Sequence, residues 1–283
     1  MVGAAEARIS VFDRGFLYGD SVYETLATVN GRLFALPEHL DRLQRSASRI
    51  GLSLPERAQI EAAIGATVAE AGNAESRVRV IVTRGAGGID LDPASAGEPA
   101  LVVIAGPRNG PTADMYRQGV AVQIVSITRN HPGAIDPSVK SGNYLNNVLA
   151  LGEARRRAGA HEAILCAASG SVAEGASSNV FTVVDGQVRT PGLSVGILDG
   201  ITRTKVLEVC RTAGLPARDV EFMSPDELRG SDEVFLTSAV RAVLPVTRVD
   251  DRTIGDGTPG PITLRLMALF QAAAEASLQG SEP

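Results

Sequence analysis

Leu36, Leu40, Leu43, Ala47 and Ile50 recur at spacings of four and three, the stripe of an amphipathic helix that Pro37 opens and Gly51 stops. Just before it, residues 22–29 and 32–36 are rich in β-formers and flank Asn30-Gly31, which predicts a hairpin. A second helix is expected from Pro55 to about Gly72. Residues 78–83 and 100–105 show little polar alternation, the pattern of strands buried on both faces. Between them, 85–97 reads as a loop rich in Gly, Asp and Pro.

Residues 106–111, Gly-Pro-Arg-Asn-Gly-Pro, form the best linker candidate in the chain. Beyond it the pattern predicts strands at 120–128, 162–166, 180–184, 187–190, 234–237 and 243–249. Helices are predicted at 142–158, 201–213 and 262–276. Hairpins such as the one at Asp185-Gly186 exclude a purely parallel sheet. The fold class is therefore a mixed α/β (α+β) protein with a small N-terminal domain over 1–108, a linker over 109–118 and a larger domain over 119–283.

Composition narrows the partners. A net charge of -5 argues against nucleic acid, and no apolar run nears the roughly 18 residues of a membrane helix. The N-terminus lacks a basic start followed by an apolar stretch, so a cytoplasmic, membrane-free protein is expected. Two cysteines, Cys166 and Cys210, make neither a disulfide framework nor a zinc cage, and no metal is expected. Lysine and arginine total 27, yet only Lys140 and Lys205 are lysines. A lysine retained against such a bias is a candidate for amine chemistry.

Lys140 lies between loop-breaking residues and ahead of a helix, whose positive end would favour the neutral, nucleophilic amine. Lys205 sits beside Arg203 on what reads as a wet helix face. Glu174 precedes the small residues Gly175-Ala176-Ser177-Ser178, which let a flat ligand approach the backbone. Gly200, Ile201 and Thr202 fall at a helix N-terminus suited to a phosphate, with Asp199 as a simple N-cap the competing account. Arg42 lies off the apolar stripe of its helix. A carbonyl-binding lysine, a phosphate site, an arginine and a carboxylate are together the parts that pyridoxal phosphate requires.

The run Lys140-Ser141-Gly142-Asn143-Tyr144-Leu145-Asn146-Asn147, then Glu174-Gly175 with Ser178-Asn179 and Phe181, resembles the class IV (fold type IV) pyridoxal-phosphate enzymes. These include branched-chain aminotransferases, D-amino-acid aminotransferases and aminodeoxychorismate lyases. The resemblance spans about residues 9–270. It implies a two-domain fold with pyridoxal 5'-phosphate between the domains, and a homodimer. It also implies that Lys140 bonds the cofactor aldehyde and moves the proton, while Glu174 holds the pyridine nitrogen. Arg42, Ile201, Thr202, Ser238 and Ala239 would bind the phosphate, and Tyr144 would lie near the ring hydroxyl oxygen. Tyr23 matches a tyrosine that faces substrate.

The resemblance leaves the substrate less defined. Thr83-Arg84-Gly85 is followed by Ala86-Gly87-Gly88-Ile89-Asp90, without the Arg-x-His carboxylate trap of the D-amino-acid enzymes. The Tyr-x-Arg of branched-chain enzymes survives here as Arg77-Val78-Arg79, with Arg79 the retained substrate-binding candidate. Arg241 departs from the branched-chain pattern; it is expected either to bind a substrate carboxylate through its forked donors or to form a salt bridge outside the pocket. The leading expectation is a transaminase passing an amino group from a branched-chain or other apolar L-amino acid to a 2-oxo acid such as 2-oxoglutarate. The alternative is an aminodeoxychorismate lyase giving 4-aminobenzoate and pyruvate, with D-amino-acid or (R)-amine transamination and a non-enzymatic scaffold behind it.

Overall fold

Asn30 and Gly31 take φ of 51° and 73°, the left-handed pair that lets a two-residue turn match the twist of its strands. They join β1 (Ser21–Val29) to β2 (Arg32–Leu33), as the sequence predicts. With β3 (Ser76–Thr83) and β4 (Ala100–Pro107) these strands form an antiparallel sheet in the order β2-β1-β3-β4. A short helix α1 (Arg14–Tyr18) precedes it. Helix α2 (Leu36–Arg49) packs on β1, and α3 (Arg57–Ala71) on β3 and β4. Val22, Leu26, Leu40, Leu43, Ile60, Ile64, Val78, Val80 and Val82 interlock as the core between these layers.

The computed structural model describes residues 1–279. Contact within the chain separates two units. One is Met1–Asn109 together with Val139–Tyr144; the other is Gly110–Ser138 with the residues from Leu145 onward.

The second unit is built on a nine-stranded mixed sheet. Its strands are β5 (Val120–Ile124), β6 (Glu162–Cys166), β7 (Val172–Gly175), β8 (Asn179–Val184), β9 (Gln187–Pro191), β10 (Ala217–Val220), β11 (Glu233–Ser238), β12 (Ala242–Val249) and β13 (Arg252–Thr253). They run in the order β10-β9-β8-β11-β12-β5-β6-β7, with β13 beside β12. Its helices are α4 (Ala113–Gln118), α5 (Leu145–Ala158), α6 (Ile201–Thr212), α7 (Pro225–Arg229) and α8 (Pro261–Gln279). Val122, Ile164, Val180, Leu236, Leu244 and Val246 make one buried face; Phe181 and Phe235 stack at 4.8 Å on the alternate one.

Several expectations are corrected. Strand β3 is not buried on both faces: Val78, Val80 and Val82 are buried whereas Arg77 and Arg79 are exposed, because α2 and α3 lie on one side only. Ile104 of β4 is likewise 53% exposed. The strand predicted over 120–128 stops at Ile124, whose N–H is taken by the Asp250 carboxylate at 2.7 Å. The span 109–118 is not a bare linker, since Thr112 caps α4 there by accepting from the Met115 N–H. Helix α5 starts at Leu145 rather than at 142, for the residues before it are held as an extended strip beside β1.

Candidate active site

Strand alternation decides what β1 can present. Val22, Glu24 and Leu26 point toward α2, and Tyr23 and Thr25 point away from it. Tyr23 is 4% exposed. The strip 139–144 runs antiparallel along β1: the Tyr23 N–H donates to the Lys140 carbonyl at 2.9 Å, and the Gly142 N–H donates to the Ser21 carbonyl at 2.9 Å. The Lys140 N–H donates to Ser46 Oγ of α2 at 3.1 Å. The strip that carries the candidate lysine is thus fixed at three points, two of them on the lysine's own backbone. Its position five residues before α5 removes it from the first turn of that helix, so the expected help from the helix dipole is absent.

Lys140 Nζ donates to Tyr144 Oη at 3.2 Å and lies 4.5 Å from the centre of the Tyr23 ring. The two tyrosines meet edge-on, with centroids 5.2 Å apart. The Arg79 guanidinium covers the Tyr23 ring at 3.9 Å, reached across the strand pair because Arg79 is the diagonal neighbour of Tyr23. Burial, then the neighbouring Tyr144, pushes the Tyr23 hydroxyl far above its ordinary pKa, so it stays protonated. Lys140, Tyr144, Tyr23 and Arg79, singled out separately in the sequence, are gathered here in one cluster. Lys205 is elsewhere, half-buried and 3.4 Å from Glu208.

Arg42, which helical phase alone would put in solvent, is buried. Its Nε and Nη2 donate to the two oxygens of Glu24 at 2.7 Å each. Glu24 is wholly inaccessible and is also 2.7 Å from His39 Nδ1. Burial alone would raise its pKa, but the Arg42 charge, the Arg42 hydrogen bonds and His39 together hold it down at about 2. Sequence reasoning misses Glu24 and His39 because a lone acid in a strand and a histidine in a helix carry no motif. The available clue is Glu24 lying on the same strand face as Val22 and Leu26.

In the second unit Glu174 lies inside β7, a strand that the sequence pattern does not predict, opposite Leu165 of β6. It is buried and accepts from Arg129 Nε at 2.7 Å and from the Leu198 N–H at 3.0 Å. Arg129, 8% exposed, escapes a reading of the sequence because 45 residues separate it from its partner. Helix α6 begins at Ile201 with Gly200 as N-cap and no side chain capping it. Of the other expected residues here, Thr202 is buried, while Ser238 and Ala239 sit at the end of β11 and in the turn after it. Arg241, at the far side of that turn, has Nη1 committed to Glu162 at 2.7 Å and to Ser177 Oγ at 3.0 Å.

One unit thus holds a lysine amine against two tyrosines, and the other a buried carboxylate and a helix start without a side-chain cap. The profile described as amino-transferase class IV matches residues 21–249. The D-alanine aminotransferase of Bacillus licheniformis is 35% identical over 94% of this chain and 92% of its own length. The Escherichia coli branched-chain amino acid aminotransferase superposes with a TM-score of 0.92 at 28% identity, covering 97% of this chain and 92% of that one. The T.th. branched-chain enzyme, solved with pyridoxamine 5'-phosphate, gives 0.90 at 32% identity over 96% and 91%. The chain belongs to the class IV aminotransferases, enzymes that work with pyridoxal phosphate.

The residues present fit that cofactor. A helix start with uncapped N–H groups suits a phosphate. Thr237 Oγ1, opposite Asn179 in the sheet register and next to Ser238, is buried with no hydrogen-bond partner. A Cβ on Gly200 would stand 1.9 Å from Asn179 Oδ1, so the helix start is pressed against a buried amide. Asn179 cannot yield cheaply, because its Nδ2 donates to the Leu198 carbonyl at 3.0 Å. Gly200→Ala is therefore expected to cost about 1–3 kcal/mol of stability and to weaken cofactor uptake, read from thermal melts and a pyridoxal-phosphate titration.

Proposed function

We propose that this enzyme moves the amino group of a branched-chain or other apolar L-amino acid to a 2-oxo acid such as 2-oxoglutarate. The observation that carries the reading is Lys140 Nζ set against Tyr144 Oη and the Tyr23 face, with Arg79 over that same ring. When bound, pyridoxal 5'-phosphate supplies an aldehyde for the amino group and a ring that stores the electron pair released at Cα. Lys140 would hold that aldehyde through its amine and move the proton at the substrate Cα. Tyr144 holds Nζ by its hydrogen bond and would lie near the ring hydroxyl. Glu174 takes the ring nitrogen, with Arg129 orienting its carboxylate. The N–H groups of Ile201 and Thr202, together with Arg42, Ser238 and Ala239, take the phosphate. Tyr23 and Arg79 face the substrate, Arg79 offering forked donors to a carboxylate.

The loop after Arg84 supports an L-preference, since Ala86-Gly87-Gly88 offers no arginine or histidine to a carboxylate. Leu145, Val148 and Leu149 leave an apolar stripe exposed on α5, which supports a homodimer; sedimentation at the mass of a single chain would count against it. The substrate reading is checked by a half-reaction followed in the cofactor spectrum. L-Leucine is expected to convert the bound cofactor to its amine form, and 2-oxoglutarate to restore it. Conversion by D-alanine but not L-leucine would overturn the stereochemical assignment. An unconverted cofactor together with pyruvate release from aminodeoxychorismate would instead establish the lyase.

A further inference from the structure

Glu162 opens β6 and is completely inaccessible to solvent. One carboxylate oxygen accepts from Arg241 Nη1 at 2.7 Å, Ser177 Oγ at 2.7 Å and Ser178 Oγ at 3.2 Å; the other accepts from the Ala163 N–H at 3.1 Å. A carboxylate so deeply buried is tolerated only if it is paired and hydrogen-bonded. Both partner segments matter. Ser177 and Ser178 follow closely on Glu174 and Gly175, whereas Arg241 closes the turn that links β11 to β12.

That turn does not hold its shape by local preference. Ala242 just beyond it takes φ of +53°, a left-handed conformation that a residue with a Cβ disfavours. Side chains impose it instead. The Arg241 N–H donates to Ser238 Oγ at 3.3 Å, Tyr116 Oη donates to the Arg241 carbonyl at 2.8 Å, and the guanidinium is anchored on Glu162.

We propose that Glu162 and Arg241 form a buried latch, a pair of positioning residues that fixes the Ser238–Arg241 turn against the segment leaving Glu174. The inference rests on the reading that Ser238 and Ala239 bind the cofactor phosphate while Glu174 binds its ring. One buried carboxylate then sets the spacing between the two ends of the cofactor's cradle within this unit. Arg241 acts through Glu162 and the turn, not by touching substrate.

The test titrates pyridoxal phosphate into full-length wild type, Arg241→Met, Arg241→Lys, Glu162→Gln and the Glu162→Gln/Arg241→Met double variant, with a thermal melt of each. Arg241→Met and Glu162→Gln are expected to bind the cofactor about ten- to a hundredfold more weakly. The double variant, which buries no charge, and Arg241→Lys, which keeps it, are expected to recover part of the loss. A lowered melting temperature with cofactor affinity unchanged would reduce the pair to a structural bridge and overturn the proposal. If Glu162→Gln does not fold, Arg241→Met decides alone. Unchanged affinity in variants of a wild type that does bind refutes the latch by itself. A wild type that takes up no pyridoxal phosphate refutes the cofactor assignment beneath it, and the latch with it.

Discussion

Lys140→Ala is expected to abolish covalent attachment of the cofactor and to lower transamination by about 10²–10⁴-fold from the lost proton transfer alone. The structure explains why no neighbour substitutes. The amine sits on a strip hydrogen-bonded to β1 and α2, against Tyr144 and the Tyr23 ring, and both tyrosines lack an amine. Lys140→Arg keeps the charge but offers a guanidinium that stays protonated and is not a nucleophile, so it should not rescue. Lys205→Ala should behave as wild type, since that residue is a half-buried partner of Glu208 on α6. Borohydride reduction followed by peptide mapping checks the assignment: the adduct belongs on residue 140, and finding it on 205 or nowhere would remove the basis of the proposed chemistry.

The second large effect falls on stability. Glu24→Gln leaves the Arg42 charge buried without its counter-ion, a change expected to cost about 3–5 kcal/mol. The pH dependence has a definite sign. Glu24 is held near a pKa of about 2, against an ordinary 4.5, so the ion pair's contribution is complete above about 4.5 and fades as the pH falls from there toward 2. Denaturant unfolding of wild type and variant across that window should show the gap between them closing with acid. A gap that stays constant from neutral pH to 2.5 would mean that Glu24 is not the charged partner of Arg42.

Much of the fold was legible in the sequence where pattern is local. The α2 stripe, the Asn30-Gly31 turn and the strand at 162–166 need only a few neighbouring residues to declare themselves. Lys140, Glu174 and the α6 start stood out because breakers and small residues surround them. Long-range pairing hid the rest. Arg129 meets Glu174, Glu24 meets Arg42 and Glu162 meets Arg241 across 45, 18 and 79 residues, and a charge far along the chain gives no periodic signal. Strand β7 escaped notice because four residues are too few to show alternation, so the sequence places no strand around Glu174. Burial of β3 was overestimated for a related reason. Over 78–83 only Arg79 breaks the apolar run, too little to tell which sheet face the helices would leave open.

The strip 139–144 belongs to the unit of the first 109 residues, although both its flanks belong to the other. A gene cut after codon 109 would therefore send Lys140 away with the wrong fragment and leave β1 without the neighbour that Tyr23 bonds. Dissecting the enzyme into separately expressed halves, or shuffling halves between relatives, has to move that hexapeptide as a third piece.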